Sequence, residues 1–166
     1  MTVIARRFAS FEAAFAIAFE EEISGIGYFD ALSQIEPNPR CAALLAKLAL
    51  IENRTVAALR PLATALGLTP ASEAAVLQSG RDEALEGQDL PFNEVMTTID
   101  RDYPAYETEF EALKVMAPAS VAHAAQLLID HEMAIINMAR AELAGNPDPG
   151  APLDAILARL GKWSAT

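Results

Sequence analysis

The chain has 166 residues, of which 52% are apolar, and it carries a formal net charge of −11. This length supports one substantial hydrophobic core and is short for two, so we expect a single domain over residues 1–166. The negative charge disfavours nucleic acid and anionic membranes as partners. Alanine and leucine are abundant and no run alternates strictly between apolar and polar residues, which predicts an all-α fold.

Two helices are predicted in the first part of the chain. Aromatic and aliphatic side chains recur every three or four residues from Phe8, which predicts a first helix over residues 8–35, with Ser10 as an alternative start. The next apolar pattern predicts a second helix over residues 42–66, ended by Gly67. Because the connection between them is short, we expect the two helices to be antiparallel.

Two prolines fall inside predicted helices. Pro61 predicts a kink or a break near Arg60 in the second helix, because proline lacks an amide hydrogen and clashes with the preceding turn. A third helix is predicted over residues 92–116, in which Pro104 indicates a kink or a restart for the same reason.

The remaining segments complete a bundle. Thr69 is predicted to cap a crossover segment over residues 71–86, and a fourth helix is predicted over residues 118–145. A short closing helix is expected over residues 151–161. We therefore expect an antiparallel four-helix bundle over residues 8–145, with one long crossover and a short C-terminal helix.

Cysteine usage and hydropathy indicate the compartment. Cys41 is the single cysteine, so no intramolecular disulfide forms, and a reducing environment is favoured. The longest stretch without a formal charge, residues 115–129, is interrupted by Pro118 and is too short to cross a bilayer of about 30 Å. We expect a soluble, cytoplasmic protein.

Two carboxylates interrupt apolar helix stripes. Glu52 lies between Leu48 and Leu59 on the leucine stripe of the second helix, and Glu132 has the same kind of position in the fourth helix. An unpaired charge on such a stripe costs several kcal/mol. Glu52 is therefore protonated, paired with a cation, bound to a metal, or turned to the edge of the stripe.

Three segments carry a resemblance to a known family. Glu21 stands seven residues before Tyr28 in EEISGIGYF, Glu52 ends LALIE, and LLIDHE contains His131 and Glu132. These segments resemble the rubrerythrin-like branch of the ferritin-like superfamily. The resemblance implies a ferritin-like bundle with a carboxylate-rich site for one or two metal ions.

The family pattern is incomplete in this chain. Members carry Glu-x-x-His on the second and fourth helices, whereas Thr55 and Ile135 stand at those histidine positions here. No rubredoxin-like cysteine module is present. The acidic residue of the third helix has three candidates: Asp102, Asp100 and Glu107. The predicted metal ligands are Glu21, Glu52, Asp102, His131 and Glu132.

Two of these ligands have a second interpretation. Glu21 lies in the acidic run 20–22, which is typical of a solvated helix face. His131 directly precedes Glu132 and is also explained as a buried histidine bonded to a neighbouring carboxylate. Both interpretations stay open at the level of sequence.

The resemblance implies that the chain binds iron, manganese or another divalent metal and has a role in iron handling or oxidative stress. If the protein is an enzyme, the resemblance implies di-iron oxidoreductase activity. The missing histidines predict modest affinity and slow peroxide turnover. The alternative is a metal-free helical scaffold or interaction dimer that has lost this chemistry. A homodimer is predicted because the first helix carries more apolar surface than one bundle face needs.

Overall fold

A computed structural model describes residues 4–163 of the chain. The described residues form seven helices and no strand, which confirms the all-α prediction. The helices are α1 (Phe11–Ile35), α2 (Pro39–Leu66), α3 (Glu73–Glu86), α4 (Phe92–Asp102), α5 (Pro104–Met116), α6 (Ala122–Leu143) and α7 (Ala151–Leu160). Within residues 4–163, no helix combines the length and the apolar character needed to cross a membrane.

Side-chain caps set the starts of the first two helices. α1 begins at Phe11, so the alternative start at Ser10 is correct and the start at Phe8 is wrong. The Ser10 hydroxyl caps the helix by accepting a hydrogen bond from an amide of the first turn. α2 begins at Pro39, three residues earlier than predicted. The Asn38 side chain caps it, and a proline at the first helical position needs no amide partner.

The two internal prolines have different outcomes. α2 continues through Pro61 to Leu66, so the helix does not break there, and the alternative of a kink near Arg60 stays a prediction. The other proline does interrupt its helix: α4 ends at Asp102 and α5 begins at Pro104, which confirms the predicted restart. The third helix of the predicted bundle is therefore two consecutive helices.

Two further helix starts differ from the prediction. α3 begins at Glu73 and is capped by Ser72, rather than by Thr69, because the Ser72 hydroxyl accepts a hydrogen bond from an amide in the first turn. α6 begins at Ala122 rather than at Pro118. Residues 118–121 form a turn before the helix, in which the Pro118 carbonyl accepts a hydrogen bond from the Val121 amide.

The helices pack as two groups. α1 packs mainly against α2 and α3, while α6 packs against α4, α5 and α7. Contacts of α1 with α5, and of α2 with α6 and α7, join the two groups. The core lies between the groups, so side chains on the inward faces of α1, α2 and α6 can meet there.

The phenylalanines of α1 belong to this core. Phe11, Phe15, Phe19 and Phe29 are each at most 5% exposed within a single chain. The apolar surface that motivated the homodimer prediction is thus largely covered by the chain's own helices. The homodimer stays a prediction.

Glycines allow α1 and α3 to approach backbone to backbone. A Cβ atom at Gly27 would lie 2.1 Å from the carbonyl oxygen of Leu77, and one at Gly80 would lie 2.0 Å from that of Ser24. Real side chains do not tolerate such distances. The connection between α2 and α4 is therefore a helix packed tightly on α1.

Candidate metal centre

Three buried side chains from three helices meet in the core. They are Glu22 of α1, Glu52 of α2 and His131 of α6, with exposed fractions of 4%, 5% and 1%. The His131 Nε2 atom lies 3.2 Å from Oε2 of Glu52 and 3.6 Å from Oε2 of Glu22. One donor atom from each residue lies within 4.8 Å of the other two. We name these three residues the Glu–Glu–His cluster.

The local sequence explains how α1 presents Glu22 and admits Glu52. Glu22 follows Phe19 by three residues and precedes Phe29 by seven, so all three lie on one buried stripe of α1. One turn further on, a Cβ atom at Gly25 would lie 2.9 Å from the carboxyl carbon of Glu52. Gly25 therefore leaves the space that the Glu52 side chain occupies.

Burial changes the protonation of the cluster. It raises the pKa of Glu52 from 4.5 to about 8, although a hydrogen bond with Glu22 acts in the opposite direction. Burial also raises the pKa of Glu22 well above its usual value, and it lowers the pKa of His131. Without metal, the carboxyl groups are expected to hold protons near neutral pH and the imidazole to be neutral.

The cluster fits a divalent metal ion. Among the described residues, Oε2 of Glu22 and Nε2 of His131 make no hydrogen bond of regular geometry, although Nε2 lies 3.2 Å from Oε2 of Glu52. Buried polar atoms without such a bond are costly. Donors that share one ion at bonds of about 2.0–2.2 Å lie roughly 3–4 Å apart, in line with the observed spacing. Two carboxylates with one imidazole suit borderline ions such as Fe²⁺, Mn²⁺ and Zn²⁺.

The second ring nitrogen of His131, Nδ1, favours a modest affinity for metal. Metal-binding histidines usually donate their second ring N–H to a neighbour, which fixes the ring. Nδ1 of His131 is buried and has no such partner among the described residues. Thr55, at the position where the family carries a histidine, is fully buried, and its hydroxyl has no hydrogen-bond partner in the described part of the chain.

A cavity of about 430 Å³ adjoins the cluster, and we name it the acidic cavity. It is lined by residues of α1 to α6 and by Tyr103 between α4 and α5, and its wall includes the three cluster residues as well as Glu132, Asp102 and Tyr106. Glu132 is 4% exposed, and burial raises its pKa well above the usual value. The inward position that the helix pattern indicated for Glu132 is therefore correct, but Glu132 lies outside the Glu–Glu–His cluster.

The other two predicted ligands also lie outside the cluster. Glu21 forms a salt bridge of 2.8 Å with Arg6, and its side chain is 36% exposed. Asp102 is buried at 7% exposure and forms a salt bridge of 2.7 Å with Arg101. Both residues line the acidic cavity without joining the three clustered donors.

Sequence reasoning missed Glu22. The spacing to Tyr28 selected Glu21, whose direction on α1 differs from that of Glu22 by about 100°. The phenylalanine stripe was the better signal, because Glu22 continues the positions of Phe15 and Phe19 while Glu21 leaves them.

Chelator-treated protein is expected to lose stability as the pH rises from 6.5 to 8. The folded state holds a proton on Glu52 that the unfolded chain releases above pH 4.5. The contribution of this group to the free energy of unfolding is therefore full at low pH and is lost toward pH 8. The lowered pKa of His131 changes the free energy of unfolding in the opposite direction, but only below the usual histidine pKa of 6.5. The expected loss is about 1–2 kcal/mol.

Urea unfolding at both pH values measures this loss. A Glu52→Leu variant serves as the control and should show a smaller change, since it lacks the titrating group. A wild-type free energy of unfolding that is constant or rises over this interval would contradict the prediction.

The site was also compared with known proteins. A scan against protein-family models, a search of curated proteins and a search of solved structures each found no match to this chain. The assignment of the Glu–Glu–His cluster therefore depends on the geometry of the chain itself.

Proposed function

We propose that the chain is a ferritin-like, rubrerythrin-related protein that binds one divalent metal ion through Glu22, Glu52 and His131. The observation that carries this proposal is a buried group of three donors from three helices, in which two donor atoms have no partner among the described residues. Fe²⁺ and Mn²⁺ are the favoured ions. The single cysteine suits the cytoplasm, where thiols stay reduced.

Each cluster residue has a distinct part in binding. Glu22 and Glu52 release their protons as the cation enters, and their negative charges neutralise it inside the core. His131 is already neutral, so Nε2 can bind without losing a proton. A bound transition-metal ion would supply Lewis-acid or redox chemistry to the adjoining acidic cavity.

The arrangement of the helices supports a relation to ferritin-like proteins. α1 and α2 form one pair, the α4–α5 segment and α6 form another, and a long connection joins them, as in bundles that bind metals through inward carboxylates. A role in iron handling or oxidative stress follows from the resemblance in sequence.

A metal-free scaffold is the second candidate. The hydrogen bond between Glu22 and Glu52, next to a neutral His131, gives the core a state without net charge and without metal. In that case the chain would keep the bundle for packing or for self-association. Metal binding is favoured because Oε2 of Glu22 makes no hydrogen bond within the described part of the chain.

Neighbouring glutamates provide a matched test. We expect Glu22→Gln to lower the affinity for Mn²⁺ by about tenfold or more, because an amide is a poor ligand and keeps no charge. Glu21→Gln should bind as the wild type does, since Glu21 is outside the cluster. Calorimetric titration of chelator-treated proteins, with metal analysis of protein purified without chelator, measures both. Equal affinity in all three proteins would contradict the proposed site.

A further inference from the structure

The acidic cavity is larger than a metal ion requires. Its volume of about 430 Å³ equals the share of roughly fourteen liquid water molecules at about 30 Å³ each. Cavities of roughly 300–1,000 Å³ are typical of sites for small organic molecules. The space next to the Glu–Glu–His cluster is therefore large enough for an organic ligand.

The lining of the cavity offers many oxygen acceptors and no lysine or arginine side chain among the described residues. Six carboxyl-bearing residues and three tyrosines line it, and His131 is the one basic side chain among the lining residues described. No lysine or arginine within residues 4–163 reaches its wall. An anion would enter without a compensating cation, which is costly in a buried site. A cation would find several oxygen acceptors.

Glu132 supplies an acceptor that the metal site does not use. Its carboxyl group is 4% exposed, and Oε1 has no hydrogen-bond partner among the described residues. It faces the acidic cavity and lies outside the Glu–Glu–His cluster. A buried oxygen of this kind is costly to leave without a partner, and a ligand that donates a hydrogen bond would satisfy it.

The rest of the wall suits an apolar body attached to that donor. The rings of Tyr103 and Tyr106 pack edge to face with their centres 5.5 Å apart, and both line the cavity. Val95, Ile99 and Phe110 add apolar surface to the same wall. Aromatic faces attract organic ammonium ions, most strongly where water is excluded.

We propose that the acidic cavity binds a small organic ammonium ion, with its charged head at Glu132 and its apolar body against Tyr103, Tyr106 and Phe110. The ammonium head donates hydrogen bonds to the carboxyl group of Glu132, which lines the cavity. The apolar body fills space that neither the side chains nor a metal ion occupy. The Glu–Glu–His cluster forms part of the same cavity wall, but Glu132 and the aromatic side chains are not among its three donors, so this inference goes beyond the proposed metal-binding function.

The test uses three probes of similar shape and different charge. 2-Phenylethylammonium, neutral 2-phenylethanol and anionic 3-phenylpropionate are titrated into chelator-treated protein by calorimetry. We expect saturable binding of the ammonium probe, affinity for the alcohol that is about tenfold or more weaker, and no binding of the carboxylate. Saturable binding of the alcohol with equal affinity, or no saturable binding of the ammonium probe, overturns the proposal.

Three variants locate the bound ion. Glu132→Gln keeps the shape but cannot form a carboxylate to pair with the ammonium head, so it should weaken ammonium binding by about tenfold or more. Tyr106→Leu removes an aromatic face at a half-buried position and should weaken binding by about fivefold. Glu111→Gln, on the exposed surface of α5, should bind as the wild type does. Circular dichroism and thermal melts show whether each variant is folded. Unchanged affinity in folded Glu132→Gln and Tyr106→Leu overturns the proposal.

A parallel Mn²⁺ titration separates the two sites. Glu132→Gln should keep its Mn²⁺ affinity while losing the ammonium probe, and wild type loaded with Mn²⁺ should still bind the probe. Ammonium binding without any Mn²⁺ binding would disprove the proposed metal site and support the ammonium site. Loss of both ligands in Glu132→Gln, or exclusion of the probe by Mn²⁺, would show one shared site and overturn the inference.

Discussion

Glu52→Leu is expected to be more stable than the wild type in chelator and to be unresponsive to metal. Leucine at this position completes the buried stripe of Leu48 and Leu59, which are both at most 1% exposed. Replacing a buried polar group by a well-packed apolar one is often neutral or stabilising by roughly 1–4 kcal/mol. The partners Glu22 and His131 are neutral without metal, so the substitution leaves no uncompensated charge behind.

Thermal melts with chelator and with Mn²⁺ measure both effects. The wild type should gain stability with metal, by about 2.7 kcal/mol at a free metal concentration one hundred times the dissociation constant. Glu52→Gln is the matched control, because it lacks the charge but keeps the shape, and it should lose the metal response without the gain from packing. A wild type indifferent to metal, beside a stabilised Glu52→Leu, would support the metal-free scaffold.

Gly27→Ala is expected to destabilise the protein by about 2–4 kcal/mol, because overpacking at a rigid contact forces backbone to move. The new Cβ would lie 2.1 Å from the carbonyl oxygen of Leu77, so α3 must separate from α1. Alanine normally stabilises a helix interior by about 0.5–1 kcal/mol relative to glycine. A loss of stability would therefore show that α1 and α3 are in close contact at Gly27, whereas a gain would show that they are not.

Gly87→Ala provides the control for Gly27→Ala. The nearest atom to a Cβ at Gly87 lies 3.5 Å away, which is an ordinary contact, so we expect a change of at most about 0.5 kcal/mol. Urea unfolding of both variants measures the difference, and limited proteolysis shows whether α3 is released first. A Gly27→Ala protein as stable as the wild type would contradict the contact.

Much of the fold follows from local pattern. The all-α class, the restart at Pro104 and the closing helix α7 are readable from periodicity, proline chemistry and turn residues. The missed starts of α2 and α3 depend on which polar side chain caps the helix, whereas α6 begins after Val121 without a side-chain cap. Several serines, threonines and asparagines near each start can cap, and the choice depends on how the flanking chain packs.

The candidate site also depends partly on local sequence pattern and partly on how the helices pack. The position of Glu52 between leucines indicated that it shares their face of the helix, with the edge of the stripe as an alternative, and its 5% exposure places it inside. The choice between Glu21 and Glu22 required the rotation of α1 about its axis. That rotation is set by the phenylalanines packed in the core and by Gly25, which admits the Glu52 side chain.

The sequence by itself indicated that Glu52 and Glu132 lie on apolar helix faces, since burial of each stripe follows from its apolar neighbours. The tertiary structure alone decided which of them meet. Glu22, Glu52 and His131 come from helices far apart in the chain, and their donor atoms converge because α1, α2 and α6 pack with one particular register. Glu132 follows His131 directly, yet the rotation of about 100° between adjacent helical residues sends it into the acidic cavity instead.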